Sequence, residues 1–188
     1  VALLSGGGAV VAWVGGSRAA TDVYVRFINS NGSFISPDLM ANMTQPGHQR
    51  DPDVAVTSDG TVVVVWSSTN QDGDGEGVFG QQFTATGAKL GGEFRVNTTT
   101  TMNQSDPAVT GLKNGGFVVS WISESAIGQT SSGAPNLRGN VMGRVFNAGG
   151  GTAGQEIRIN SSDALATSPV LTGTNGGGFM TAWVQRDE

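Results

Sequence analysis

Oxygen-bearing side chains alternate along one short stretch of the sequence, and their spacing could bind a hard cation. These side chains are Asn70, Asp72, Asp74 and Glu76, with Gln or Gly between them. Calcium accepts irregular coordination by roughly six to eight oxygens, so such a stretch could wrap around it. It is not an EF-hand loop, because the twelfth position from Asp72, where a bidentate acid is needed, is Phe83. The spacing indicates calcium as a candidate cofactor, and a solvated turn is the alternative.

Two further carboxylates recur at equivalent positions and form a second candidate site. Asp51 and Asp106 each precede a proline, and Ser168 takes that place in a third copy of the pattern. Carboxylates repeated around an axis could line a pore or bind a cation. The alternative is local, because Asp often accepts backbone N–H bonds in the turn that starts a strand. We favour the local interpretation.

No arrangement typical of catalysis stands out. Glycosidases use paired carboxylates, but the 15 acidic residues are spread along the chain without a distinct pair. His48 is the sole histidine, and no Ser–His–Asp arrangement can be read around it. We expect His48 in a surface loop. The sequence therefore predicts that the chain is not an enzyme.

Three asparagines stand in N-x-[ST] triplets at equivalent positions. They are Asn42, Asn97 and Asn160. In a eukaryotic secretory protein such triplets would be candidate glycan acceptors. In a bacterial protein we interpret them as turn chemistry.

Four tryptophans divide the sequence into repeats that must position these residues. Trp13, Trp66, Trp121 and Trp183 are separated by 53, 55 and 62 residues. A proline stands 14 residues before each of the last three, at Pro52, Pro107 and Pro169. A period of this order is typical of a solenoid, a propeller or an array.

Each repeat contains four strand signals. The first ends in turn residues, the second ends at a Trp, the third ends at a Phe, and the fourth ends at an Asn. The dipeptides Asp59–Gly60, Asn114–Gly115 and Asn175–Gly176 favour hairpin turns, because these residues tolerate positive φ. Four strands in roughly 50 residues is typical of a propeller blade. We predict an all-β, β-propeller-like fold of about three and a half four-stranded blades, as a partial ring or fragment. Each Trp should end a second strand and lie largely buried between blades.

The repeats give a provisional division of one β-repeat domain. Residues 1–13 form a partial repeat with the first two strands, and residues 14–66 and 67–121 form two full repeats. Residues 122–183 form a third repeat with a Ser- and Gly-rich loop insertion at 123–139, and 184–188 begin another. We interpret the chain as a piece of a longer repeat protein.

The composition limits the classes of function. The 188 residues carry a net charge of −5, which argues against nucleic acid or an anionic membrane as partner. No apolar run approaches the roughly 20 residues of a membrane span. The chain has no cysteine, so thiolate chemistry and disulfides are excluded within it.

The second repeat resembles a known kind of sequence. It contains an apolar run to Trp, then QDGDG, G-x-x-F, GGEFRVN and Q-x-x-P. This resembles tandem repeats of very large secreted bacterial proteins, adhesin-like and often found beside calcium-binding RTX-type segments. The third repeat keeps GRVFNAGG and EIRIN without QDGDG, and the first keeps VRF without GGEF. The resemblance implies an exported, multi-repeat surface protein and no particular ligand.

These observations favour a structural or adhesive β-repeat region of a large exported bacterial surface protein. We expect it outside the cell or at the cell surface. Expected partners are other repeats of the same polypeptide or neighbouring copies, and a glycan or another surface ligand. Two alternatives stay open, a calcium-dependent or lectin-like binding module and a part of a propeller enzyme.

Overall fold

The computed structural model describes residues 1–44, 46–162 and 165–186, and their regular structure is entirely β-strand. The strands are β1 (Ala2–Leu3), β2 (Ala9–Gly16), β3 (Thr21–Ile28), β4 (Leu39–Met40), β5 (Gln49–Val56), β6 (Val62–Thr69), β7 (Glu76–Phe83), β8 (Lys89–Arg95), β9 (Gln104–Gly111), β10 (Phe117–Gln129), β11 (Pro135–Phe146), β12 (Ile157–Arg158), β13 (Leu165–Gly173) and β14 (Phe179–Arg186). Within these residues there is no helix that could cross a membrane.

The strands form four antiparallel sheets in chain order. Sheet 1 holds β1–β4, sheet 2 holds β5–β8, sheet 3 holds β9–β12, and sheet 4 holds β13 and β14. Three four-stranded meanders and one two-stranded sheet, which is half of such a meander, confirm the predicted propeller-like fold. The sheets do not divide the chain at the tryptophans, because each Trp lies inside a second strand. The predicted segment 184–188 lies partly outside the described residues.

The apolar run of β6 shows how the sheets pack. Its side chains alternate between two buried clusters. Val62, Val64 and Trp66 face sheet 1, whereas Val63 and Val65 face sheet 3. Because successive side chains of a strand point to opposite faces, a sheet between two others needs apolar residues at every position. The continuous run is therefore the sequence signal of an inner strand pair that is covered on both sides.

The first strands of consecutive sheets lie side by side, with β5 next to β9 and β9 next to β13. Two equivalent glycines permit this approach. A Cβ on Gly111 would lie 2.6 Å from the Val56 carbonyl oxygen, and a Cβ on Gly173 would lie 2.7 Å from the Gly111 carbonyl oxygen. Only glycine fits at these points, so the three inner strands can gather around one axis.

The tryptophans occupy equivalent places, but one part of the prediction was wrong. Each is the fifth residue of its strand, in β2, β6, β10 and β14, and the strand continues for at least three residues beyond it. Cross-strand pairing does not stop at the Trp, as the partnership of Ser67 with Val78 shows. Trp66 and Trp121 are 0% and 1% exposed. Trp13 and Trp183 are half-buried. Trp183 packs against the small cluster of Ile122, Val141 and Ala166.

The insertion at 123–139 is not a loop, which corrects the sequence analysis. It lengthens β10 and β11 into a hairpin with continuous pairing from Phe117–Phe146 to Ala126–Leu137. A turn closes it, where the Thr130 N–H donates to the Ala134 carbonyl at 2.8 Å. Pairing satisfies the backbone of both arms without a core, so Ser- and Gly-rich composition did not reveal the strands.

Candidate active site

One end of the sheets gathers the residues that the sequence analysis singled out. In sheet 2, Arg50 pairs with Ser67 and Thr69 pairs with Glu76, so loop 70–75 lies at the end where β5 begins. In sheet 3, Gln104 pairs with Ser123, so the long hairpin extends from the same end. The starts of the inner strands therefore lie at the same end of the sheets as the connections between second and third strands.

The residues before the repeat prolines adopt an unusual backbone conformation. Asp51, Asp106 and Ser168 have φ of 51°, 50° and 53°, in the left-handed region. Strand pairing is irregular beside each of them. A non-glycine residue there costs on the order of 1–3 kcal/mol, and proline restricts the residue before it further. The same strained conformation at three equivalent positions marks this face as the place to look for function.

An open groove of about 490 Å³ lies along these starts of the inner strands. Its polar lining comes from Asp51, Asp53, Asp106 and Ser168. The repeat prolines and neighbouring apolar residues complete the lining. The groove thus combines proline and apolar side chains with three carboxylates, and small-ligand sites commonly combine an apolar wall with a few polar groups.

The carboxylates in and beside the groove influence one another. Partial burial, together with the negative charge of Asp106, raises the pKa of Asp51, while Arg50 acts in the opposite sense. Burial also raises the pKa of Glu76. The positive charge of Arg50 lowers this pKa, whereas the negative charges of Asp51 and Asp106 raise it further. Arg50 and Glu76 form an ion pair. The result is one cluster of three acids and one guanidinium in which two carboxyls are easier to protonate than usual.

Asp53 accepts the backbone bonds that the sequence analysis assigned to Asp51 and Asp106. Its Oδ1 accepts from the Val54 N–H and its Oδ2 from the Val109 N–H, both at 2.8 Å. His48 is half-buried, with Nδ1 3.3 Å from the Thr21 hydroxyl.

The structure places Asn70, Asp72 and Asp74 in loop 70–75 and Glu76 at the start of β7, and the three acids have different partners. Asp72 Oδ2 accepts a bond from the Asn97 amide at 2.8 Å, and Asp74 Oδ2 accepts from the Met102 N–H at 3.0 Å. Glu76 pairs with Arg50, and the Asn70 N–H donates to the Gly75 carbonyl. In residues 1–44, 46–162 and 165–186 no group of three or more His, Cys, Asp or Glu residues could hold a metal ion. Calcium binding by these residues stays a prediction of the sequence.

The triplet asparagines serve the sheets. The Oδ1 atoms of Asn42, Asn97 and Asn160 accept hydrogen bonds from backbone N–H groups of the third strands β3, β7 and β11. The distances are 2.9, 2.8 and 2.9 Å. Their amides donate to the carbonyl two residues ahead, at 3.0, 2.7 and 2.9 Å. All three side chains are buried. This geometry fits turn chemistry and leaves no room for a glycan.

Comparison with solved structures relates the fold to enzymes. A Penicillium chrysogenum α-L-arabinanase, solved with arabinobiose, is 17% identical with a TM-score of 0.61 over 94% of this chain and 53% of that one. A Fusarium graminearum α-L-arabinofuranosidase, solved with an iminosugar inhibitor, is 15% identical with a TM-score of 0.62 over 94% and 53%. A Bacteroides thetaiotaomicron endo-arabinase is 12% identical with a TM-score of 0.56 over 96% and 66%. The chain spans less than two thirds of their length. No protein-family model and no curated protein matches it.

The comparison corrects the prediction that the chain is not an enzyme. The similar structures are named as an endo-arabinase, an α-L-arabinanase and an α-L-arabinofuranosidase, which contradicts that prediction. They favour the alternative of a propeller-enzyme part over a structural or adhesive region. At these identities the likeness shows the fold alone.

Sequence reasoning missed the approach of Glu76 to Asp51 and Asp106. Glu76 was assigned to the calcium loop, and Arg50 was not singled out. The recurrence of a carboxylate before proline indicated Asp51 and Asp106, but no local signal connects Glu76 or Arg50 with them. Pairing of β5 with β6 and of β6 with β7 then brings Glu76 to the same end.

Proposed function

We propose that the chain carries carboxylates of a glycan-cleaving propeller enzyme, with Asp51 and Asp106 as the reactive pair. The main support is the position of these equivalent residues, which lie at the starts of neighbouring inner strands and line one groove. Both residues also have a strained backbone. The fold shared with arabinan-degrading enzymes supports this proposal.

The charges of the groove suit acid–base chemistry. Hydrolysis of a glycosidic bond needs one carboxyl that donates a proton and one carboxylate that activates water or attacks the sugar. The raised pKa of Asp51 suits the proton donor, which leaves Asp106 for the role of the second carboxylate. Arg50 and Glu76 set the surrounding charge, because the guanidinium favours ionised neighbours and the second acid opposes them.

A neutral sugar polymer is the substrate class that fits best. The chain carries a net charge of −5, and the groove is lined by acids, so an anionic substrate would be repelled. Arabinose-containing glycans come first, because the similar structures are named for them. An extracellular location follows for an enzyme of such polymers, as the sequence also suggested, and stays a proposal.

The test combines hydrolysis and binding. The chain is assayed with linear arabinan and with 4-nitrophenyl α-L-arabinofuranoside, and binding of arabinobiose is measured by calorimetry. Asp51→Asn and Asp106→Asn should each lower kcat/KM by roughly 10²–10⁴-fold while binding persists. Asp38→Asn, just before β4 and paired with Arg26 at 3.2 Å, is the matched control and should act like wild type.

Two results would overturn the proposal. One is hydrolysis that survives both substitutions, which would place the chemistry elsewhere. The other is binding of arabinobiose without hydrolysis of either substrate, which would make the groove a lectin-like site.

A further inference from the structure

A second pocket lies between sheets 2 and 3, at the end of the sheets opposite the groove. Its volume is about 380 Å³, and small-ligand sites commonly have about 300–1,000 Å³. Gln82 of β7 lines it and pairs with Val63 near the start of β6, whereas the groove lies where β6 ends. Gly149 and Gly150 line it from the turn that follows β11. Sheets 2 and 3 each have four strands, so both walls are fully formed.

Gln82 is a buried polar side chain without a partner. It is 6% exposed, and its carboxamide makes no hydrogen bond to another residue in the described part of the chain. The neighbouring Gln81 differs, because its Nε2 donates to the carbonyls of Gln82 and Leu90 at 2.9 and 3.1 Å. A buried amide that lacks such bonds costs stability and calls for an explanation. Its position in an open pocket suits a group that binds a ligand.

The equivalent space between sheets 1 and 2 is filled by apolar side chains. There β3 presents Phe27, which is fully buried. Gly87 and Gly150 hold equivalent positions in the turns after β7 and β11. A Cβ on Gly87 would lie 2.9 Å from Leu39 Cδ1 and 3.2 Å from the Phe27 ring. A Cβ on Gly150 would instead lie 2.6 Å from Gln82 Oε1, so an amide stands where the first interface has apolar groups.

The lining of this pocket is neutral and has polar and apolar parts. None of its described residues carries a charge, and beside Gln82 it contains Thr61 and Phe94. Phe94 packs on Phe117 and Phe146, with ring centroids 6.1 and 5.6 Å apart, and these contacts hold its ring in place. Glycines supply much of the remaining wall, where the backbone can approach a ligand closely.

We propose that the pocket between sheets 2 and 3 binds one residue of a neutral sugar. A sugar ring has hydroxyls that can bond to the Gln82 carboxamide and an apolar face of C–H groups that can contact Phe94. An anion would find no cation in the lining, and a wholly apolar ligand would leave the amide unpaired. The inference does not rest on the proposed enzymatic function, because pocket and groove lie at opposite ends of the sheets.

The experiment measures binding at the pocket itself. The isotope-labelled chain is titrated with methyl α-L-arabinofuranoside and with methyl β-D-glucopyranoside. NMR follows the side-chain amide of Gln82 and the backbone N–H groups of Gly149 and Gly150. We expect saturable shifts of these signals with at least one of the two glycosides. Methyl β-D-glucuronide, which carries a carboxylate, should bind more weakly than the neutral glycosides that bind.

Substitution of Gln82 tests the role of the amide. Gln82→Leu removes the amide and keeps a side chain of similar size, and Gln82→Phe fills the space with the residue type that Phe27 supplies to the first interface. In both variants the shifts at Gly149 and Gly150 should need at least about tenfold more ligand for half-saturation. Gln129→Leu replaces an exposed glutamine at the other end of the sheets, and as the matched control it should bind like wild type.

Three results would overturn the inference. The first is no saturable shift with either neutral glycoside, or shifts confined to Asp51 and Asp106, which would place the sugar in the groove. The second is binding at Gly149 and Gly150 that is as tight in Gln82→Leu and Gln82→Phe as in wild type. The third is tighter binding of the glucuronide than of both neutral glycosides, because the pocket would then select an anion.

Discussion

Asp53 of β5 accepts a 2.8 Å hydrogen bond from the backbone N–H of Val109 in β9, so one carboxylate joins two neighbouring sheets beside the groove. The bond lies two residues after Asp51 on one strand and three residues after Asp106 on the other. It therefore sets the relation between the two residues proposed to act on substrate.

Loss of this bond should lower stability. Asp53→Ala should reduce the free energy of unfolding by about 1.5–3 kcal/mol, because a bond to a charged acceptor is lost and a half-buried N–H is left without it. Urea denaturation measures the change. Asp38→Ala, which breaks a partly exposed ion pair with Arg26, should cost at most about 1 kcal/mol. Equal effects would mean that the Asp53 bond does not hold the sheets together.

The tryptophans should differ in their contribution although their positions are equivalent. Trp66→Ala should cost about 3–5 kcal/mol, because its side chain is 0% exposed in the core between sheets 1 and 2. Trp183→Ala should cost at least about 1 kcal/mol less, since half-buried atoms lose less on truncation. Denaturant titration of both variants decides this. A cost below about 1 kcal/mol for Trp66 would contradict its burial.

Asn97 should not tolerate a negative charge. Its amide donates to Asp72 Oδ2 at 2.8 Å and to the Gln104 side chain at 3.1 Å. Asn97→Asp removes these donors and sets two carboxylates together, so we expect a loss of about 2 kcal/mol or more at neutral pH. Part of the loss should return as the pH falls and the new carboxyl is protonated. The exposed Asn147→Asp serves as control in the same melting experiments, and a matching loss there would refute the argument.

Glu156 should make stability fall in acid. Burial acts to raise its pKa, but the hydrogen bonds from Thr99 and Thr98 outweigh it and hold the pKa below the ordinary value of 4.5. A carboxyl with a lower pKa when folded stabilises above its unfolded pKa, and it loses this contribution as the pH falls through the folded pKa. Glu156→Gln should therefore differ most from wild type at neutral pH and least near pH 3. Urea midpoints across this range are the measurement, and a constant difference would contradict it.

Calcium binding by loop 70–76 stays a prediction of the sequence. The cation would have to draw Asp72 from Asn97 and Asp74 from the Met102 N–H, so we expect a higher melting temperature only at millimolar calcium. Asp74→Asn should reduce this shift and leave melting in chelator nearly unchanged. An unchanged calcium shift in this variant would show that the ion binds elsewhere.

The repeated hairpins could be predicted because their signals are local. Gly60 and Gly115 have φ of 86° and 83°, as the turn dipeptides required, and the run before Trp66 is buried on both faces. The candidate site could not be predicted in the same way. Glu76 reaches Asp51 and Asp106 only through the pairing of three strands and the packing of two sheets. The separation of these residues in the sequence does not indicate how close they lie in the folded chain.

The long hairpin of β10 and β11 also has a meaning for the ancestry of such chains. Its pairing is continuous from Phe117–Phe146 to Ala126–Leu137 and shifts register once before Gln129–Pro135, and its tip lies beyond the packed cores at the end of the sheets that carries the groove. Added residues at this connection therefore leave the interior as it was. Repeats that descend from one ancestral repeat can therefore differ in the ligand that this connection contacts, while selection keeps the buried valines and tryptophans unchanged.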